Sequence, residues 1–83
     1  MTIKIQRYEH GEDRFNNFRF MWVCTETEYN SVLMDLFIKH GNDGWEWHDG
    51  WNATDTLCQH VKDSRLEAVL SALWESYTGI INI

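Results

Sequence analysis

Two short motifs combine residue types that carry chemistry elsewhere: Cys58-x-His60 and Glu46-x-His48. A thiol beside an imidazole is typical of a nucleophile–base pair, and both motifs contain metal ligands. Zinc sites are usually built from C-x2-C or H-x3-H pairs, and neither spacing occurs in this sequence. The sequence also offers no orienting group or oxyanion-binding motif that can be assigned to the thiol. We therefore expect no enzyme, no metal and no other cofactor.

A second pattern is a run of acids that contains no base and lies beside tryptophan. The acids are Asp43, Glu46, Asp49 and Asp55, and Trp51 stands among them. A solvated loop face has the same composition. Protein interfaces, however, commonly place an aromatic anchor inside a charged rim. The pattern predicts that Trp51 and these four acids bind a partner.

Two more tryptophans, Trp45 and Trp47, precede Trp51. In a strand, alternate residues share one face, so these two side chains would lie together. A small domain fills its core with bulky aromatic side chains. We expect Trp45 and Trp47 to be core and Trp51 to be the exposed member of the cluster.

The charge is uneven along the chain. The net charge is −6, and residues 25–83 hold ten acids against three bases. Such a surface repels a phosphate backbone and an anionic membrane alike. We expect neither direct nucleic-acid binding nor membrane binding, and we expect the partner to be a protein with a basic surface.

Length and composition predict one domain over residues 1–83 and a cytoplasmic location. Eighty-three residues bury a single core, and the sequence has no proline-rich linker or repeat. The first residues alternate charge with apolar side chains, unlike a signal peptide. Small secreted domains that depend on disulfides usually have more than two cysteines, so Cys24 and Cys58 are expected to be reduced.

The first third of the chain predicts a β-hairpin. Ile3 and Ile5 alternate with polar residues, and residues 18–24 alternate about Phe18, Phe20 and Trp22. The polar segment EHGEDR between them is typical of a turn, in which Gly11 would adopt a positive φ angle.

Residues 26–40 predict an amphipathic helix. Thr25 and Glu28 have the spacing of a capping box, and apolar residues then recur at helical spacing. Met34 and Ile38 would lie one turn apart on the polar side of this helix, where they form an apolar spot. The spot predicts a contribution of these two residues to partner binding.

The last third predicts a second helix and a closing strand. Ser64 and Glu67 form another capping-box pattern, the apolar stripe extends to Tyr77, and Gly79 ends the helix. The isoleucines of residues 80–83 favour a short strand.

The middle segment gives a mixed signal. Asp49-Gly50 is typical of a two-residue hairpin turn, which would pair residues 45–48 with a strand starting at Trp51. Helical spacing within residues 55–62 predicts a short helical turn after it.

Together these patterns predict an α+β fold: a small antiparallel sheet with two amphipathic helices packed on it, in the order ββα(ββ)αβ. The function they favour is a small acidic, non-enzymatic protein-binding module. In size, charge and composition it resembles small acidic inhibitors of phage or mobile-element type, which are anti-CRISPR-like and block a nucleic-acid-handling complex. The alternative is a structural or assembly subunit that acts through self-association, for example as a homodimer.

Overall fold

The computed structural model describes residues 2–28 and 32–83. It contains five strands, one short 3-10 helix and one α-helix. Their bounds are β1 Ile3–Asp13, β2 Phe18–Thr27, β3 Val32–His40, β4 Glu46–Gly50, the 3-10 helix Leu57–Gln59, α1 Asp63–Glu75 and β5 Ile80–Asn82. No helix in the described part of the chain is long and apolar enough to cross a membrane.

The five strands form one antiparallel sheet in the order β4-β3-β2-β1-β5. Strands β1 to β4 follow one another as a meander. Helix α1 then carries the chain back across the sheet, so that β5 pairs with β1 at the opposite edge from β4.

Helix α1 and the 3-10 helix pack on the same face of the sheet, which we call the inner face. The sheet contributes Ile3, Ile5, Met21, Val23 and Phe37 to the core, and the covering segments contribute Leu57, Val61, Val69, Leu70 and Leu73. Alternation places every second strand residue on this face. The structure is therefore two layers, a sheet and one helical layer.

The side chain of Arg7 connects β1 to the end of α1. Its Nη1 donates hydrogen bonds to the carbonyl oxygens of Leu73, at 3.3 Å, and Trp74, at 2.8 Å. The last carbonyls of a helix lack partners within the helix and carry partial negative charge. A cationic donor from the sheet therefore satisfies them and fixes where α1 ends.

The prediction of two helices packed on the sheet is wrong, because residues 32–40 form strand β3, which lies between β2 and β4, rather than a helix. Alternation in this segment is hidden by apolar residues on both faces: Val32, Met34, Leu36 and Ile38 alternate with Leu33, Asp35 and Phe37. A strand that is apolar on both sides has no clear period of two. The predicted capping box at Thr25 and Glu28 is also wrong, since Thr25 is a buried residue of β2.

The N-terminal hairpin is confirmed, but its turn lies later than predicted. The segment EHGEDR belongs to β1, and the chain reverses at residues 14–17, where Asn17 has a φ of 53°. Gly11 does not have a positive φ. It lies opposite Phe20 in the register, and a Cβ atom at Gly11 would come within 2.5 Å of the Phe20 ring.

The predicted Asp49-Gly50 hairpin is also wrong. Both residues lie inside β4, which pairs with β3, and no strand begins at Trp51. The short helical turn predicted within residues 55–62 is confirmed as the 3-10 helix, and the closing strand is confirmed as β5.

Helix α1 is shorter than predicted. It ends at Glu75 before Tyr77, which is fully exposed rather than part of the apolar stripe. Its N-cap is Lys62, with no side-chain cap, so Ser64 does not form a capping box. The Glu67 carboxylate instead accepts a 2.7 Å hydrogen bond from the backbone N–H of Trp45 and holds the β3–β4 connection against α1.

Candidate protein-binding surface

The face of the sheet opposite α1, which we call the outer face, is rich in apolar side chains. Both helical segments pack on the inner face, so the described residues place no second layer on the outer one. Its large apolar members are half-buried or exposed: Tyr8, Phe18, Phe20, Trp22, Val32, Met34, Leu36, Ile38 and Trp51. This pattern is unusual, because an antiparallel sheet covered on one side normally exposes polar residues on the other.

The strand register makes these side chains contiguous. Trp22 on β2 faces Leu36 on β3, and Phe20 faces Ile38 in the next row. Directly opposed side chains have Cβ atoms about 4.5–5.5 Å apart, close enough for large side chains to touch. Gly11 on β1 has no side chain, and the ring of Phe20 extends over it and fills that space. The outer face is therefore one apolar patch across three strands.

A shallow groove of about 270 Å³ lies in this patch. It is lined by Tyr8, Glu9, Trp22, Met34 and Trp51. Trp51 is held at the edge of the sheet because its backbone N–H donates a 3.0 Å hydrogen bond to the carbonyl of Met34. Its side chain is 74% exposed, so the indole forms one wall of the groove and faces water.

A β-bulge in β1 forms the opposite wall. Arg7 pairs with Val23 and His10 pairs with Met21, so two residues, Tyr8 and Glu9, stand opposite Trp22. A bulge adds one residue to a strand and re-aims its side chains. Here the bulge places two consecutive side chains, the phenol of Tyr8 and the carboxylate of Glu9, in the same groove.

Carboxylates outnumber cations on the outer face. Glu9 lines the groove. By register, the other acids at the margin are Asp13, Glu26, Glu46 and Asp49, whereas Lys4 is the basic residue of the described strands on this face. The remaining strand bases point inward. Arg7 binds the end of α1, and Arg19 pairs with Glu12 and lies 5.3 Å from the Trp74 ring centroid.

The structure brings together only some of the residues that the sequence singled out. Trp51 and Met34 meet in the groove, and Ile38 lies four residues beyond Met34 on the outer face of β3. Met34 and Ile38 were predicted on a helix; they share a face because they alternate along β3. Among the acids, Asp49 faces Leu36 and Glu46 faces Ile38.

Two of the predicted acids lie away from this patch. Asp43 is exposed in the connection that follows β3. Asp55 lies 2.9 Å from Nε2 of His60, between β4 and the 3-10 helix. Of the two tryptophans predicted to be core, Trp45 is buried, and its ring centroid lies 5.4 Å from that of Trp74. The prediction is wrong for Trp47, which is 37% exposed at the sheet edge.

The sequence interpretation missed Tyr8, Phe20, Trp22 and Leu36 as surface residues. Phe18, Phe20 and Trp22 were correctly placed on one face of a strand, and Met21 and Val23 on the other. Because both sets are apolar, the pattern did not say which face is covered. The anomalous apolar spot at Met34 and Ile38 was the one available signal.

The cysteines are free thiols on opposite sides of the sheet. Cys24 faces Met34 on the outer face, and Cys58 belongs to the 3-10 helix over the inner face. Burial raises the pKa of both thiols, and the Thr56 hydroxyl partly offsets this at Cys58. A raised pKa disfavours the nucleophilic thiolate. Among residues 2–28 and 32–83, no three His, Cys, Asp or Glu side chains are grouped to hold a metal ion.

Comparisons of this chain with protein-family models, with curated proteins and with solved structures found no match. The candidate surface therefore rests on geometry and chemistry alone.

Proposed function

We propose that this chain is a non-enzymatic protein-binding module that docks through the outer face of its sheet. The observation that carries the proposal is the contiguous apolar patch on a sheet face that has no second layer within the described residues. Burying apolar surface is the main driving force of protein association, and large exposed apolar patches mark such sites.

The composition of the patch supports the same function. Trp22, Trp51 and Tyr8 belong to the residue types that dominate binding energy in protein interfaces. They surround a groove, so a partner side chain can be enclosed by rings rather than lie on a flat surface. Carboxylates at the margin, such as Glu9 and Asp49, form the polar rim that interfaces typically have.

The charge of the rim favours a partner protein with a basic surface over a second copy of this chain. Two outer faces packed together would bring the carboxylates of both copies into one interface. On each copy, Lys4 is the basic residue of the described strands that could offset them. Like charges across an interface cost free energy, whereas opposite charges speed association and fix orientation. Self-association is therefore the alternative that an experiment must separate.

A narrower form of the proposal concerns the partner's class. Complexes that handle nucleic acid have basic surfaces that bind phosphate, and an acidic patch centred on tryptophan complements such a surface. In this form the module is an inhibitor of phage or mobile-element type, anti-CRISPR-like, that acts in the cytoplasm.

The test compares capture by three immobilised proteins: the wild type, the outer-face variant Trp22→Ser/Leu36→Ser, and the control variant Phe15→Ser/Tyr77→Ser. The control removes two large apolar side chains that are 95% and 100% exposed and lie off the patch. Thermal melts establish that each variant is folded. Quantitative mass spectrometry then ranks the captured proteins.

The proposal expects one partner to be retained by the wild type and the control and lost from the outer-face variant. Retention by all three would contradict it. The solution mass separates the alternative: a concentration-dependent dimer that the outer-face variant abolishes would assign the patch to self-association.

A further inference from the structure

We infer that the groove formed by Tyr8, Glu9, Trp22, Met34 and Trp51 binds a basic side chain of the partner, with arginine preferred to lysine. This inference rests on the proposed function, because it names what the partner presents to the outer face. It adds a specific subsite to a surface that otherwise binds through apolar contact.

The first observation is that the three aromatic rings that line the groove do not contact one another. Tyr8, Trp22 and Trp51 line one groove, yet the ring contacts among the described residues involve other pairs. Tyr8 is 66% exposed, and with Trp51 it forms the open sides of the groove, whereas Trp22 is half-buried. Aromatic side chains separated by an open space can receive a planar group between them.

The second observation is the carboxylate at the wall. Glu9 is exposed and makes no ion pair within 4.0 Å with any described residue. A cation over an aromatic ring is attracted by about 0.5–2 kcal/mol, depending on how far it is desolvated. A carboxylate beside the ring adds a charge-assisted hydrogen bond to the same cation.

Arginine fits this combination better than lysine. Its guanidinium is planar and weakly hydrated, so it can stack on an indole and still donate two parallel hydrogen bonds to one carboxylate. The ammonium of lysine is a strongly hydrated point charge that loses more on entering an apolar groove. Met34 adds a polarisable contact for the aliphatic part of the side chain.

The chain's own nearby arginines are engaged elsewhere. Arg7 donates to the carbonyl of Trp74, and Arg19 pairs with Glu12, both on the inner face. Because these two side chains lie on the face opposite the groove, the inference assigns the occupant to the partner.

The test uses defined probes, N-acetyl-arginine methylamide and its neutral isostere N-acetyl-citrulline methylamide, titrated into the labelled full chain. Indole N–H signals in a ¹H–¹⁵N spectrum report the five tryptophans separately once single Trp→Phe variants have assigned them. Two tryptophans, Trp22 and Trp51, line the groove, whereas Trp45 and Trp74 pack together beneath the sheet.

We expect the arginine probe to shift the Trp22 and Trp51 signals and to bind about tenfold more tightly than the citrulline probe, which corresponds to 1.4 kcal/mol. Glu9→Gln should weaken arginine binding several-fold and remove most of its dependence on salt. Glu75→Gln changes an exposed carboxylate on α1 and should leave binding unchanged.

Equal binding of the two probes, or an arginine-induced shift confined to Trp45 and Trp74, would overturn the inference. The proposed function is judged separately. If the outer-face variant loses its partner while Glu9→Gln keeps it and the arginine probe does not discriminate, the surface binds protein without a basic-side-chain subsite.

Discussion

The indole Nε1 of Trp47 donates a 2.9 Å hydrogen bond to Oδ1 of Asp35. The other carboxylate oxygen accepts a 3.0 Å hydrogen bond from the backbone N–H of Leu57. Asp35 is only 1% exposed, so one buried carboxylate on β3 holds both the edge strand β4 and the 3-10 helix. Because Asp35 holds Trp47, it also positions residues 47–51, and Trp51 at the end of this segment forms one wall of the groove.

Replacing Asp35 should destabilise the fold strongly. Asp35→Ala leaves the N–H groups of Trp47 and Leu57 without their acceptor, and the expected loss is about 3 kcal/mol of unfolding free energy. Urea denaturation measures it. Asp43→Ala removes an exposed acid of the same type and should cost under about 0.5 kcal/mol. A loss below about 1 kcal/mol at Asp35 would mean that the carboxylate is not the connection described here.

Thr25 offers the opposite expectation. Its hydroxyl oxygen is buried on the inner face and has no hydrogen-bond partner among the described residues. Burying an unpaired hydroxyl costs about 1–3 kcal/mol, so Thr25→Val, which keeps the shape and removes the polar atom, should stabilise the protein by about 1 kcal/mol. Thermal melting of the variant beside wild type decides the sign, and a lower melting temperature would show that the hydroxyl is satisfied.

The contact between Gly11 and Phe20 should appear as coupling between the two positions. A Cβ at Gly11 would lie 2.5 Å from Cε1 of Phe20, so Gly11→Ala must displace the ring from β1. In the Phe20→Leu background that clash is relieved, and the double-mutant cycle should give a coupling of at least about 0.5 kcal/mol. Additive effects in urea denaturation would indicate that Phe20 does not lie over the glycine.

The two thiols should make stability fall in alkali. Desolvation raises the pKa of Cys24 and Cys58 above the ordinary 9.0, so the unfolded chain ionises before the folded one. Their effect on stability is absent well below pH 9 and grows unfavourable as pH rises through and beyond that value. Between about pH 8 and pH 10, wild type should lose more stability than Cys24→Ala/Cys58→Ala. Parallel losses in urea denaturation would contradict the burial of the thiols.

The sequence was informative wherever one face of an element is polar. Ile3 and Ile5 alternate with polar residues, and the apolar stripe around Leu70 has clear helical spacing. The type of both elements, a hairpin and a helix, was therefore predicted correctly, although their bounds were not. Strand β3 was not predicted, because both of its faces are apolar from Val32 to Ile38 except at Asp35. A buried acid within such a run resembles the polar side of a helix until its partners, Trp47 and Leu57, are known.

The candidate site was predictable only in part, for a related reason. Trp51 and Met34 were identified from local anomalies, and the structure places them in one groove. Tyr8 and Glu9 reach that groove through a β-bulge, which depends on pairing with β2 and leaves no local sequence signal. The groove is therefore formed by the strand register, and no single segment of the sequence predicts it.

The most direct test of the outer face as the docking surface uses the distribution of the tryptophans. Trp22 and Trp51 line the outer groove, and Trp45 and Trp74 pack between the inner face and α1. Purified partner is added to ¹⁵N-labelled protein, and the assigned indole signals are followed through the titration. The account predicts that the Trp22 and Trp51 signals change while those of Trp45 and Trp74 remain in place. Changes at Trp45 and Trp74 with unchanged Trp22 and Trp51 would contradict it.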